Sequence, residues 1–246
     1  MPGWEEIPNL VHGFCGRRGG VSRGPFAELN LSFRVDDTRE AVRENWRRVV
    51  PLTGETIRFA TMQQVHGDRM ISVERPGDAG EADGLSTAVA RIALTVLTAD
   101  CVPILFVASG RRVVAAVHAG WRGTVAGIAA RAVQYFERTW DVAAADIAVA
   151  LGPAIGGCCY EVTSAIVDAL EERWGQLWGA VDRRGGGKAM LDLRRANMAL
   201  LRHAGILDAN IACVGPCTRC TTNEYFSHRA ARGATGRQLS FIAFAT

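Results

Sequence analysis

No stretch of this chain stays apolar long enough to cross a bilayer. The longest candidate, Ala88 to Ala108, is interrupted by Arg91, Asp100 and Pro103, and so reads as buried strands. A basic stripe is also missing. The formal net charge of +3 is spread along the sequence, which argues against a nucleic-acid partner and against a polybasic membrane anchor. Met1 to Asn9 contains Glu5 and Glu6 and lacks the basic start and apolar run of an export signal, so the expected compartment is the cytoplasm. Seven cysteines, an odd number without small-domain spacing, do not form a disulfide framework and are expected to stay reduced there. A phosphate-binding P-loop is absent too, because Gly187-Lys188 is followed by Ala189 rather than Ser or Thr. Cys217-Thr218-Arg219-Cys220 has no second CxxC, and one such pair is a weak zinc signal when a structural site takes four ligands. It reads as a redox dithiol or, more simply, as two partly buried thiols. The adjacent Cys158 and Cys159 are expected to point to opposite faces of extended backbone and not to share an ion.

What is present suits a packed globular protein. Hydrophobic residues make up 48% of 246 and charged residues 22%, enough to bury a sizeable core in one large domain. Arginine heavily outnumbers lysine. The richest stretch runs from Ile92 to Ile128. Val102 to Val107 and Val113 to Val117 flank a break at Ser109 and Gly110, which predicts a β-hairpin. Cys101 and His118 lie equally far from the centre of that turn. This register sets a thiol opposite an imidazole, close enough to share a metal ion or exchange a proton. A helix is expected from near Thr124, with Val125, Ile128, Ala132, Val133 and Phe136 on one face. Its first turn favours an anion beside His118, and Arg122 adds fixed positive charge.

The rest of the chain supplies elements around that hairpin. Val11 to Ser22 reads as a strand entering a glycine-rich loop, whose Arg17, Arg18 and backbone N–H groups suit an anion or solvent equally. Asp37-Thr38-Arg39-Glu40 fits a capping box for a helix carrying Val42, Trp46 and Val49 and stopped by Pro51. His66, beside Gly67, reads alone as a turn or core residue, and Asp83 to Thr87 as a polar turn. Further on, a buried strand is expected over Asp146 to Ile155 and helices over Thr163 to Trp178 and Asp192 to His203, the second closed by Gly205. A mobile glycine-rich loop is expected over Arg183 to Lys188, and strands over Ile211 to Val214 and Leu239 to Phe244.

Five blocks then stand together in order: Gln64-Val65-His66-Gly67, Thr98-Ala99-Asp100-Cys101, Val117 to Gly123, Gly152 to Gly156 with Cys159-Tyr160-Glu161-Val162, and Phe226-Ser227-His228-Arg229 with Gly236-Arg237. With Arg17 to Ser22 and Asn30-Leu31, they resemble the YfiH family, also called the laccase-domain or multicopper polyphenol oxidoreductase family, which includes the peptidoglycan editing factor. His228 departs from a position where an aromatic such as tyrosine is expected at least as often. The resemblance implies an α+β fold, a single domain over residues 1–246 with mixed β-sheets flanked by helices and a zinc ion at the bottom of a pocket. It carries the ligands over as His66, Cys101 and His118, and so supplies a third partner for the hairpin pair. Three protein ligands leave a position open, as in a catalytic site.

Members of that family are known as phosphorylases of adenosine, inosine, guanosine and methylthioadenosine, and also as adenosine deaminases. The implied partners are therefore a purine nucleoside and phosphate, acting on a monomer. Arg17, Asn30, Arg122, Arg229 and the helix start at Thr124 are the candidate substrate and phosphate contacts, and Asp100 a candidate for orienting substrate or accepting a proton. The laccase label meets an arithmetic obstacle. Blue and trinuclear copper centres together call for on the order of ten histidines, whereas this chain has five and no His-x-His pair. Two other classes stay open: a Cys101–His118 thiol amidase editing cell-wall precursors, and a non-catalytic nucleotide-binding protein.

Overall fold

Residues 3–54, 56–177 and 179–246 are described by a computed structural model of the chain. The elements follow as β1 (Leu10–Phe14), α1 (Arg39–Thr53), β2 (Arg58–Gln63), β3 (Met70–Ser72), β4 (Gly77–Glu81), β5 (Gly84–Thr87), β6 (Ile92–Thr98), β7 (Val102–Ala108) and β8 (Val113–Ala119). Then come α2 (Trp121–Ala126), α3 (Ile128–Trp140), β9 (Ala148–Leu151), β10 (Glu161–Thr163), α4 (Ser164–Trp174), β11 (Val181–Arg184), β12 (Lys188–Leu191), α5 (Leu193–His203), β13 (Ile211–Cys213) and β14 (Gln238–Phe244).

Strands β7 and β8 read as unbroken apolar runs because both of their faces are covered, and every residue in them is buried. Val102, Ile104 and Phe106 of β7, with Val113, Ala115 and Val117 of β8, share one core with Ile128, Ala132, Val133 and Phe136 of α3 and with apolar residues of α4 and α5. The alternate residues Leu105, Val107, Val114 and Ala116 share another with Leu94 and Val96 of β6 and Ile242 and Phe244 of β14. A six-stranded sheet, in the order β13-β9-β7-β8-β5-β3, thus lies between helices and a five-stranded sheet in the order β1-β14-β6-β2-β4. On the far side of the second sheet, Val49 of α1 packs with Leu31, Leu239 and Phe241. A small sheet, β10-β12-β11, completes the α+β fold expected from the resemblance.

The hairpin forms, but two residues out of the expected register. Pro103 pairs with His118 and Val102 with Ala119, because the turn takes in Ser109 to Arg112, a 3-10 turn closed by Arg112 in the left-handed region. A slip of two preserves the face of every side chain, since strand side chains alternate with period two. Cys101 and His118 therefore stay on the same side, diagonal rather than opposite.

Other boundaries move for identifiable reasons. Thr38, not Asp37, caps α1, its side chain accepting from the N–H of Ala41, and the helix continues through Pro51 to Thr53, with Gly54 as its C-cap. In place of one helix from Thr124 there are two, starting at Trp121 and at Ile128. Gly127, at φ +85°, makes the break. A Cβ there would lie 2.1 Å from the Trp174 ring, so the position excludes larger residues twice over. The expected strand over Asp146 to Ile155 shortens to β9, and of the segment Arg183 to Lys188 the two arginines belong to β11 and Lys188 to β12, leaving Gly185 to Gly187 as the turn between them. The helix from Thr163 ends at Trp174, and Trp178 lies outside the described residues. Asp192 caps α5 by accepting from the N–H of Arg195.

Candidate functional site

The three donors converge at one end of the sandwich. His66 sits in the turn between β2 and β3, Cys101 in the short link from β6 to β7, and His118 near the end of β8. Their ligand atoms lie within 4.8 Å of one another. The two imidazoles meet edge to face at 4.8 Å between centroids.

Asp83 organises them. Fully buried just ahead of β5, it accepts hydrogen bonds from the backbone N–H groups of Val65 (3.2 Å), His66 (3.0 Å) and Gly67 (2.6 Å). The same carboxylate meets Nδ1 of His118 at 2.7 Å. One side chain therefore fixes the His66 turn, where the backbone takes a positive φ of 62°, and the orientation of His118. With Nδ1 bound to Asp83, Nε2 of His118 is left for a ligand. Burial alone raises the Asp83 carboxyl, but His118 and the N–H groups outweigh it and hold the carboxyl below its usual range. Reading Asp83 to Thr87 as a polar turn missed this role, because the contacts come from a turn sixteen to eighteen residues away.

Electrostatics couple the thiol to the imidazoles. Burial pushes the Cys101 thiol up, but the adjacent His118 and His66 more than offset it and bring it down to about 6. Burial lowers His118, whereas the Cys101 thiolate and Asp83 raise it to about 9. Gly120 leaves the space these atoms occupy. A Cβ there would approach Cδ2 of His66 to 3.0 Å and Sγ of Cys101 to 3.1 Å. Two imidazoles and a thiol, a carboxylate behind one imidazole, and a cradle kept open by glycine fit a divalent metal ion with one position left for solvent or substrate.

The donors line a pocket of about 410 Å³ whose lining also includes Arg34, Arg122, Arg229 and Arg237. Arg122 lies over the Trp121 ring, 4.3 Å from its centroid, and Arg229 over Tyr160 at 4.8 Å. Arg237 is held by the carbonyls of Thr235 and Gly236, both at 2.9 Å. Asp100 also lines the pocket. Its oxygens accept from the Thr218 hydroxyl at 2.7 Å and from the Arg229 N–H at 2.6 Å. Tyr160 stays a phenol: burial first, then the negative charges of Cys101 and Asp100, push it up to about 12.

The structure does not bring Arg17 or Asn30 into that lining. Arg17 donates to the carbonyls of Ala27 (2.7 Å) and Thr222 (2.8 Å) and lies over Phe226. Gly19 in the same loop donates to Glu28, and Arg18 to the Asn223 carbonyl, so the loop's donors serve the chain itself. Asn30 is buried and acts from behind. Its Oδ1 accepts from the N–H of Arg237 at 3.0 Å, and its amide donates to Asp37 at 2.8 Å. Thr124 faces inward, donating to the Gly120 carbonyl and accepting from Asn197, so the helix start offers no hydroxyl to an anion. Arg34 and Arg237 complete the arginines of the lining, and in the sequence only the Gly236-Arg237 block signals one of them. His228 reaches the pocket wall.

The expectation that Cys158 and Cys159 point to opposite faces does not hold. Cys158 and Cys159 lie in a turn, not in extended backbone. Their sulfurs gather with those of Cys217 and Cys220, all within 4.8 Å of one another.

The fold and the His–Cys–His pocket define a class, and the whole length of the chain agrees with it. Residues 11–245 match the family described as multi-copper polyphenol oxidoreductase laccase. The chain is 39% identical to the purine nucleoside phosphorylase YlmD of Geobacillus stearothermophilus, over 98% of this chain and 92% of that one. It is 37% identical to a purine nucleoside phosphorylase of Deinococcus radiodurans, over 96% and 91%. The crystal structure of the Geobacillus YlmD superposes with a TM-score of 0.93 at 38% identity, covering 98% of this chain and 93% of that one. The Bacillus licheniformis YfiH structure gives 0.92 at 34%, covering 98% and 94%. The chain belongs to this laccase-domain family of YlmD and YfiH proteins. Among the described residues the family's copper label finds little support, since only two histidines enter any metal-competent group.

Proposed function

We propose that this chain is a metal-dependent purine nucleoside phosphorylase, with zinc as the ion held by His66, Cys101 and His118. The observation that carries the reading is one pocket lined by three clustered donors and four arginines. The reaction joins a phosphate oxygen to C1′ of the ribose as the C1′–N9 bond breaks, giving ribose 1-phosphate and a free base that takes up a proton. Arg122 and Arg229, each stacked on an aromatic ring and thereby held in place, suit the phosphate, with Arg34 and Arg237 adding positive potential. Asp100, locked by Thr218 and Arg229, keeps Arg229 in register. Tyr160, a neutral donor on the wall, is the group we assign to the departing base. A divalent ion held by His66, Cys101 and His118 would supply Lewis-acid stabilisation of developing charge, chemistry that also suits adenosine deamination. Binding of base, ribose and phosphate in a pocket of this size needs no second domain. Phosphate-dependent release of adenine from adenosine, with metal content measured on the same sample, tests the reading; no release of any purine from adenosine, inosine or guanosine overturns it.

One observation favours a second reading, a thiol amidase. The Cys101 thiol and the His118 imidazole lie with their donor atoms within 4.8 Å of each other, and the imidazole beside it brings the thiol down, the pairing a cysteine nucleophile needs. His66, as a third donor aimed at the same point, weighs against it. Alkylation of Cys101 by iodoacetamide without prior chelation, with loss of activity, would favour the nucleophile, whereas protection until the ion is removed favours the metal.

A further inference from the structure

A second cluster lies outside the pocket, on the segments that follow β9 and β13. Cys158 and Cys159 belong to a turn in which the N–H groups of Cys159 and Tyr160 donate to the Gly156 carbonyl at 2.9 and 3.1 Å. Cys217 and Cys220 belong to a second turn, where the N–H groups of Cys220 and Thr221 donate to the Cys217 carbonyl at 3.0 and 3.1 Å. The turns face each other. Sγ of Cys220 lies 3.8 Å from that of Cys158 and 3.4 Å from that of Cys159. The N–H of Gly156 donates to Sγ of Cys217 at 3.2 Å, the kind of contact that stabilises negative sulfur. Gly156 is small where it must be, since a Cβ there would lie 3.3 Å from both Sγ of Cys158 and Cβ of Cys217.

We propose that Cys158, Cys159, Cys217 and Cys220 bind a second ion, a tetrahedral four-thiolate zinc that staples these two segments together. A Zn–S bond of about 2.3 Å places tetrahedral sulfurs about 3.8 Å apart, the separation already found between Cys158 and Cys220. The sulfurs are too close to enclose an iron–sulfur cluster, whose metal and sulfide atoms must fit between the thiolates. Binding takes up one Zn²⁺, forms four Zn–S bonds and releases the proton of each thiol that is still protonated; nothing is oxidised or reduced. The staple joins segments already in register, for Ala154 bridges Cys217 and accepts from the N–H of Thr218 at 3.1 Å. Both arms also reach the pocket through Asp100. The N–H of Ile155 donates to its carbonyl at 2.9 Å, and the Thr218 hydroxyl to its carboxylate. The ion is therefore structural, and it holds Asp100 and with it Arg229.

Elemental analysis of the full chain, purified without chelator, tests this directly. The expected result is about two zinc ions per chain, falling to about one in Cys158→Ser/Cys220→Ser and also to about one in Cys101→Ala. Cobalt loading gives a second signature, because thiolate-to-cobalt absorption should fall by more than half in Cys158→Ser/Cys220→Ser and by less in Cys101→Ala. A measurement on the unaltered protein guards against a variant that misfolds. Mass-resolved alkylation should label Cys213 at the same rate before and after chelation, but Cys158 and Cys220 only after it. Equal metal content in the wild type and the double variant overturns the proposal. So does labelling of Cys158 and Cys220 at the rate of Cys213 with all ions retained, or a disulfide among the four cysteines in freshly isolated protein. Iron in place of zinc overturns the choice of ion.

Discussion

The two donor clusters of this molecule are built on opposite plans. The pocket cluster combines imidazoles with one thiol, draws its ligands from three separate elements, has a buried carboxylate behind it and opens into a cavity. The cysteine cluster draws four thiols from two turns, sits at the surface and leans on a backbone N–H. Three ligands with space above suit chemistry, whereas four with none to spare suit cohesion. The difference separates what the chain does from what keeps it ready to do it.

The sharpest way to break the contrast is Cys101→Ala. It should abolish phosphorolysis to background and remove the pocket ion while the cysteine cluster keeps its own, as read by purine release and metal analysis. Full activity without the pocket ion would end the site assignment. Next is reactivity after both ions are stripped. A thiol held at about 6 is mostly thiolate near neutrality, so alkylation of Cys101 should rise with pH through a midpoint at about 6, where an ordinary thiol would have it at 9.0. Near pH 7 it should run roughly a hundredfold ahead of an unperturbed thiol in thiolate content. Cys15, pushed by burial to about 11, should stay inert, and equal rates for the two would remove the His118–Cys101 coupling.

Smaller effects test the supporting residues. Asp83→Asn keeps the shape but loses the charge that orients His118, and should weaken pocket-ion affinity by about 10–100-fold without altering the cysteine cluster. It also tests acid stability. The Asp83 carboxyl is depressed in the fold, so its contribution is complete above the ordinary value of 3.8 and is lost as pH falls through the lower folded value. The variant's melting temperature should accordingly change less than the wild type's across that acid range. The mildest change is Arg122→Ala, expected to raise the KM for phosphate about tenfold with a smaller change in KM for nucleoside; equal increases in both would move phosphate elsewhere in the pocket.

Much of this contrast could be read from residues alone, and the part that could not has a common cause. The β7–β8 hairpin followed from apolar runs around a turn, and a register error of two residues did no harm because it conserved the face. His66 had no local signal of its own; it entered through the order of the family's blocks. Asp83 stayed invisible because its function consists of three N–H groups and an imidazole brought to it by the pairing of β5 with β8 and β3. The four thiols were missed for a related reason. Assuming extended backbone at Cys158-Cys159 sent the side chains apart, whereas a turn sends them together. Arg17 and Asn30 show the converse, residues inside a recognisable block whose hydrogen bonds run to the chain itself and which lie outside the pocket lining.

The short link Ala99 to Cys101 deserves a mechanical reading. It leaves β6 in the five-stranded sheet and enters β7 in the six-stranded one, and the turn bearing His66 likewise passes from β2 to β3, again from one sheet to the other. An ion tied to Cys101, His66 and His118 is therefore a button at the open end of the sandwich, and taking it away should let the two sheets part there first.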